Sequence, residues 1–466
     1  MLIPNSMLKG IAVLMLTIVL AVALFSQPPD GPSPATPDPQ ITAALHDVSP
    51  QRIQRTVEKL VSFGTRQTLS SDMPASSGKG ATAAAEWIRS EFEGYAKECG
   101  GCLEVKTDEF TQEPGPRVPT PTKITNVYAV LRGTDPANAG RMYVVTGHYD
   151  SRNSDGDDAK GAAPGANDDG SGTAVSLECA RVLSKHRFPA TIIFLTVAGE
   201  EQGLYGSAHF AKMAKAAGWD LEAVLNNDIV GGDRTPGGTL QNPHVVRVFS
   251  EGIPSTADIK QLKTIRALGG ESDGPSRQLA RYIASVAKEY LRPNTLSPLL
   301  VFRHDRYLRG GDHFSFNEQG FAAVRFTEFR ENYNHQHQNV RTENGIEYGD
   351  LPKFVDYDYA ANVARLNAAT LASLASAPAP PANVRLLTKE LQNDSTLAWE
   401  ASAGGRATAY EVLWRDTAAA DWQHVKRVGN VTRATLPLSK DNVVFAVRAL
   451  DARDHRSLAI VPLPER

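Results

Sequence analysis

Between residues 42 and 375, short apolar runs alternate with stretches of helical period. The clearest run is Thr191-Ile-Ile-Phe-Leu-Thr-Val197, continuous in apolar and β-favouring residues. Similar runs predict strands over 126–132, 142–146, 223–225 and 322–326. Between them, helices are predicted over 81–97, 171–185, 204–217, 276–290 and 356–376. The helix after Gly172 shows the period best, with Val175, Cys179, Val182 and Leu183 on one face. Strands alternating with helices predict an α/β fold: three layers, with a mixed, mostly parallel sheet and helices on both faces.

The pattern changes after Ala375-Ser-Ala-Pro-Ala-Pro-Pro381, a small, proline-rich linker. Beyond it helical period is absent, and short strands are predicted over 396–399, 409–415, 422–428 and 443–450. This predicts a small all-β sandwich. Trp399, the Tyr410–Trp414 run and the Val444–Leu450 run give it a resemblance to a fibronectin type III module. At the other end, Lys9 precedes a 16-residue apolar run from Gly10 to Phe25, then a proline-rich stretch to Gln40. The run is shorter than the ~20 residues that span a bilayer comfortably. It reads as a secretory signal or an uncleaved membrane anchor, and so as export to a periplasmic, secreted or membrane-anchored location. The expected organisation is 1–40 for this segment and its linker, 41–376 for the α/β domain and 377–466 for the β-module.

Composition narrows the function. At 466 residues the chain needs two or three domains, and 41% hydrophobic with 22% charged residues is a globular balance. A net charge of −3 argues against a nucleic-acid partner, since surfaces built for phosphates are usually basic. Of the three cysteines, Cys99 and Cys102 are spaced for a local disulfide in an oxidising compartment, and Cys179 is expected to be a buried apolar residue.

The chemistry gathers at predicted strand ends. Glu200-Glu201 follows the 191–197 run after Gly199. Adjacent carboxylates repel, and a metal can relieve them, with one carboxylate as ligand and its neighbour free to handle protons. His148-Tyr149-Asp150 follows the 142–146 strand, and Asp228 follows Val224-Leu225-Asn226-Asn227. Asp168 lies in the glycine-rich loop Gly165-Ala-Asn-Asp-Asp-Gly-Ser-Gly172, and a late histidine pair lies in Asn334-His335-Gln336-His337. Each feature alone has an ordinary reading: a solvated turn, a hydrogen-bonded histidine or a helix cap. In open α/β sheets, however, ligands collect at the carboxyl ends of strands. Mixed histidine and carboxylate donors suit Zn²⁺, and their number suffices for two ions.

These residues carry a resemblance. His148-x-Asp150, the Gly165–Gly172 loop, Ala198-Gly-Glu-Glu-Gln-Gly-Leu-Tyr-Gly-Ser207 and Asn227-Asp228 resemble the co-catalytic di-zinc aminopeptidases, a group related to glutamate carboxypeptidases and glutaminyl cyclases. The resemblance covers most of 42–375. It implies that Asp168 bridges two zinc ions, that His148 and Asp228 complete one, and that Glu201 and the late histidine complete the other. It further implies Glu200 as the general base activating a water between the ions, and Asp150 as the partner that orients His148. The implied substrate is a peptide with a free N-terminus. For the late ligand His335 is preferred to His337: the family has an acid four residues on, and Asn339 mimics it where Arg341 does not. His313, in Gly310-Gly-Asp-His-Phe314, is a weaker candidate ligand. A glutaminyl-cyclase-like enzyme with one zinc, or a carboxypeptidase for acidic dipeptides using Arg303, Arg306 and Arg309, are the alternatives. The β-module could bind a polymer, a cell surface or a partner protein.

Overall fold

A computed structural model describes residues 36–234 and 241–465. The N-terminal apolar run, with the signal or anchor expected of it, lies outside the described residues. No helix among the described residues is long and apolar enough to cross a membrane.

The body is one eight-stranded mixed sheet. In chain order its strands are β1 (Leu103–Gln112), β2 (Thr122–Leu131), β3 (Arg141–His148), β4 (Thr191–Val197), β5 (Asp220–Asn227), β6 (Val245–Ser250), β7 (Ser297–Val301) and β8 (Ala323–Glu328). Their spatial order is β1-β2-β4-β3-β5-β8-β6-β7. β4, β3, β5 and β8 run parallel, β7 pairs parallel with β6, and the remaining neighbours are antiparallel.

Successive residues of a strand point to opposite faces, so a central strand needs apolar residues at every position. Val145, Ile192, Phe194 and Leu225 enter one core, while Val144, Ile193, Leu195 and Val224 enter the other. The main flanking helices are α1 (Gly80–Glu98), α2 (Gly170–Leu183), α3 (Tyr205–Ala216), α4 (Pro275–Tyr290) and α5 (Tyr357–Ser376). α1, α2, α4 and α5 cover the first face, and α3 covers the second with Phe210, Ala211 and Ala214. The three-layer α/β architecture expected from the alternation is therefore the one formed.

α2 is buried along its whole length, more deeply than one apolar face would suggest. Its polar side chains find partners in the sheet: Thr173 Oγ1 donates to the His148 carbonyl (2.9 Å) and Ser176 Oγ to the Leu195 carbonyl (2.9 Å). The close approach depends on glycine. A Cβ on Gly172 would lie 2.1 Å from the Asn227 carbonyl oxygen, so the glycine-rich loop lets the start of α2 sit against the ends of β3 and β5.

Cys99 and Cys102 form a disulfide at the end of α1, and Cys179 is buried in α2. The C-terminal region is built of two sheets. Arg433–Leu436, Ser395–Glu400, Ala382–Leu387 and Leu463–Glu465 form the first, in that order, and His424–Gly429, Ala409–Asp416 and Val443–Leu450 form the second. Leu397 and Trp399 of one meet Tyr410, Val412, Phe445 and Val447 of the other in a shared core. This small sandwich is fastened to the α/β body by charged and backbone contacts. Arg415 pairs with Asp273 at 2.6 Å, and Tyr282 Oη donates to the Arg456 carbonyl at 3.0 Å.

Candidate metal centre

The parallel strands β4, β3, β5 and β8 end on one edge of the sheet, and the candidate residues are delivered there. His148 is the last residue of β3. Asp228 follows β5, with Ile229 in the left-handed region (φ 62°) turning the chain away. Gly199, at φ 80°, turns β4 sharply, so that Glu200 and Glu201 form the first turn of a short helix, Glu200–Gly203. Asp168 comes from the loop that opens α2. His337 comes from the loop after β8 and also adopts a left-handed conformation (φ 54°).

Two clusters of donors result. His148, Glu200 and Asp228 form one and Asp168, Glu201 and His337 the other, each with one ligand atom per residue within 4.8 Å of the rest. Asp168 stands between them. Its Oδ1 is 3.3 Å from His148 Nε2, and its Oδ2 is 2.9 Å from His337 Nε2. His337 Nε2 is also 2.9 Å from Glu201 Oε1, and His148 Nε2 is 3.9 Å from Asp228 Oδ1.

The geometry puts His337, and not the expected His335, among these donors. His335 does not reach the cluster: its Nδ1 bonds to Asp233 Oδ2 (2.5 Å) and its ring stacks on Phe354 at 3.7 Å. The turn after β8 carries His337 inward to Asp168 and Glu201. Gln336, between them, donates to Asp168 Oδ2 at 2.9 Å. His313 is fully buried away from the cluster, with Nε2 2.9 Å from the His304 carbonyl.

Supporting groups fix the cluster from behind. Asp150 is fully buried beneath the Glu200–Gly203 turn, where it accepts from the Glu201 N–H (3.2 Å) and from Thr68 Oγ1 (2.9 Å). His148 Nδ1 lies 3.1 Å from the Asp150 carbonyl and 3.4 Å from its carboxylate, so the backbone oxygen is the nearer acceptor. Asp150 is thus a positioning residue for the ring and for the two glutamates. Asp169 caps α2 and accepts from the N–H groups of His148 (3.0 Å) and Ile229 (3.2 Å). Asp350 accepts from the N–H groups of Asn167 (2.8 Å) and Asp168 (2.7 Å). Arg325, fully buried, holds Asp228 Oδ1 at 2.8 Å. Of these Asp350 and Arg325 carry no sequence signal, and Asp169 reads only as a cap.

Electrostatics supports a cation here. Burial pushes the Glu200 carboxyl well above the usual carboxylate range, and Asp228 and Glu201 push it further against the pull of His148. Burial also raises Glu201, opposed by His337. Burial alone would lower His337, but Glu201 and Asp168 on either side overrule it and pull the imidazolium up to about 11. Without a metal, then, the protein keeps a proton where carboxylates converge. His148 Nε2 is buried and has no hydrogen-bond partner, facing Asp168 and Asp228 instead. An orphaned imidazole nitrogen amid converging carboxylates fits zinc, a borderline ion that accepts nitrogen and oxygen donors. Above the cluster lies a cleft walled by Arg117, Arg152, Arg306 and Arg309, with Leu308 and Tyr333 at its rim.

Comparison with known proteins agrees with this chemistry. The model of peptidase family M28 matches residues 126–357. A probable zinc metalloprotease of Pyrenophora teres f. teres is 45% identical over 433 residues, 92% of this chain and 88% of that protein. Another, from Pyricularia oryzae, is 46% identical over 449 residues, 94% of this chain and 88% of its own length. Among solved structures, the LapA aminopeptidase of Legionella pneumophila aligns with 72% of this chain and 75% of its own at a TM-score of 0.51. At 23% identity that likeness shows the fold.

Proposed function

Since the chain belongs to peptidase family M28 and is a zinc-dependent peptide hydrolase, we propose that it is an aminopeptidase with two zinc ions, releasing N-terminal residues from peptides. The observation that carries this reading is Asp168, whose two carboxylate oxygens face the histidines of the two different donor clusters. His148, Asp228 and Asp168 Oδ1 would hold one ion, and His337, Glu201 and Asp168 Oδ2 the other. Bound zinc supplies Lewis acidity, polarising a scissile carbonyl and lowering the pKa of water toward neutrality.

The chain's own groups do the rest. Glu200 lines the cleft and belongs to the His148–Asp228 cluster, yet is not needed once Asp168 serves both ions. Its carboxylate takes the proton of the attacking water and passes it to the departing amine. Burial and neighbouring acids raise its proton affinity, as a base working near neutral pH requires. Asp150 keeps Glu200 and Glu201 in register by holding the backbone beneath them. Arg325 fixes Asp228.

The test combines metal analysis of the purified protein with peptides bearing free or blocked N-termini. Two zinc equivalents per chain and cleavage of free-amine peptides alone are expected. One equivalent, with ammonia released from an N-terminal glutamine, would replace this reading with the cyclase one. Cleavage of blocked peptides would rule out the aminopeptidase assignment.

A further inference from the structure

The walls of the cleft have a charge that the metal chemistry does not use. Five arginines line it: Arg117, Arg152, Arg306, Arg309 and Arg325. Three have acidic partners. Arg325 is shared by Asp228 (2.8 Å) and Asp305 (3.0 Å), while Arg306 and Arg309 both bind Glu331, at 2.6 and 2.8 Å. Arg117 and Arg152 differ. Among the described residues, neither is paired with a carboxylate. Arg117 Nη1 donates only to the Glu201 carbonyl (3.1 Å), and Arg152 Nε only to the Asn153 carbonyl (3.2 Å).

Both are placed by their loops, Arg117 on the exposed side of the cleft and Arg152 half-buried. Arg117 sits at the tip of a tight loop closed by the paired Gly115 and Val118, whose N–H groups donate to each other's carbonyls at 2.8 and 3.1 Å. It adopts a left-handed conformation (φ 63°), costly for a side chain with a Cβ, and Val118 beside it is fully buried. Its guanidinium is thereby laid against the backbone of Glu201. Arg152 follows Asp150 by two residues, and its guanidinium lies over Gly156, where a Cβ would come within 3.5 Å of Cζ. The two arginines thus reach the cleft from separate loops, Arg152 two residues after Asp150 and Arg117 through its bond to the Glu201 carbonyl.

The acids in the cleft are committed elsewhere. Asp168, Glu200, Glu201 and Asp228 belong to the donor clusters. Spare guanidinium N–H donors beside a cleft whose carboxylates are already engaged call for an anionic ligand.

We propose that Arg117 and Arg152 select substrates bearing a carboxylate close to the scissile bond. The group is either an acidic side chain on the residue after the cleaved bond or the main-chain carboxylate of a very short peptide. The proposal rests on the peptidase reading and adds its substrate class. A charge-assisted hydrogen bond to such a group corresponds to a factor of about ten to a hundred.

The zinc-loaded enzyme is assayed on peptides with a common first residue. The second residue is Glu, Ala or Lys, and each peptide is made both as the free acid and as the C-terminal amide. A tenfold or greater advantage in kcat/KM of Glu over Lys among the amides identifies the side chain as the recognised group. The same advantage of acid over amide in the Ala pair identifies the main-chain carboxylate. Arg117→Ala and Arg152→Ala should each bring the relevant ratio toward one, chiefly through KM, and salt should do likewise. Equal kcat/KM across the panel overturns the proposal, as does a preference that survives both substitutions. Binding of the same peptides to Glu200→Gln, read by calorimetry, separates the two readings. Carboxylate-selective binding with no turnover by the unsubstituted enzyme would fault the peptidase assignment and uphold this one. Indifferent binding would fault this one alone.

Discussion

The two donor clusters meet at Asp168 but are constructed differently. His148 and Asp228 stand at the ends of adjacent parallel strands, 1% and 3% exposed, with Arg325 and Asp169 fixed behind them. His337 hangs from a loop in a left-handed backbone conformation, and its side chain is 29% exposed. Strand-end donors inherit their positions from the sheet. A loop donor is placed by a few local contacts, here Asp168 and Glu201 themselves. One cluster is therefore placed wholly by folding, and in the other Glu201 and Asp168 are held by Asp150 and Asp350 while His337 alone depends on its neighbours.

The largest effect tests Glu200, which sits with the rigid half by geometry but is proposed to handle protons. Glu200→Gln should lower kcat by about 10²–10⁴, the usual contribution of general acid–base catalysis, and leave zinc content unchanged. Loss of a zinc equivalent would make Glu200 a ligand and redraw the division between the clusters. Next come the histidines. His148→Ala leaves Asp150, Asp168 and Asp228 buried with a partner missing, at a cost of about 3–5 kcal/mol, so both zinc and thermal stability should fall. His337→Ala should also release zinc and lower the melting temperature of the metal-free protein, because it removes the imidazolium between buried Asp168 and Glu201. His335→Ala should keep its zinc, losing only the Asp233 bond and the Phe354 stack. If His335→Ala sheds metal and His337→Ala does not, the loop half has been assigned to the wrong residue.

The same contrast explains what the chain made legible. Glu200, Glu201, His148 and Asp228 stand at or just past strand ends, where apolar runs stop, and Asp168 stands in a glycine-rich loop. Their convergence could be anticipated because a parallel sheet gathers such ends on one edge. The choice between His335 and His337 could not be made that way. In the sequence it turns on Asn339 and Arg341, on the premise that position 341 would bring a cation toward the metal. In the folded chain Arg341 turns to Glu343 (3.1 Å) and lies over the Tyr348 ring, so the premise has no force. The sheet shows the same limit. β1, β6 and β7 escape the periodicity because they are half-exposed or short, and β1 carries polar residues along an edge. Asp350 and Arg325 escape because their roles exist only once distant segments meet.

The smallest effect concerns the electrostatic cost of the rigid half. Asp312 is fully buried near Asp228 and Asp150. Burial, with those two acids adding and His148 and Ser207 opposing, pushes its carboxyl up to about 7 from an ordinary 3.8. Between those values the folded chain keeps a proton that the unfolded chain has lost. Stability therefore falls as pH rises through that window and is flat outside it. A tenfold change in proton affinity corresponds to about 1.4 kcal/mol, so this single group contributes at most a few kcal/mol. Asp312→Asn cannot ionise and should lack that part of the slope. Its melting temperature relative to the unsubstituted protein, both metal-free, should be higher at pH 8 than at pH 5. Asp350, also pushed up to about 7 by burial, keeps a slope in both proteins, so only the difference between them is diagnostic. Parallel pH profiles would mean that Asp312 is ionised in the fold at no cost, and that the strand-end half is less crowded with charge than its geometry implies.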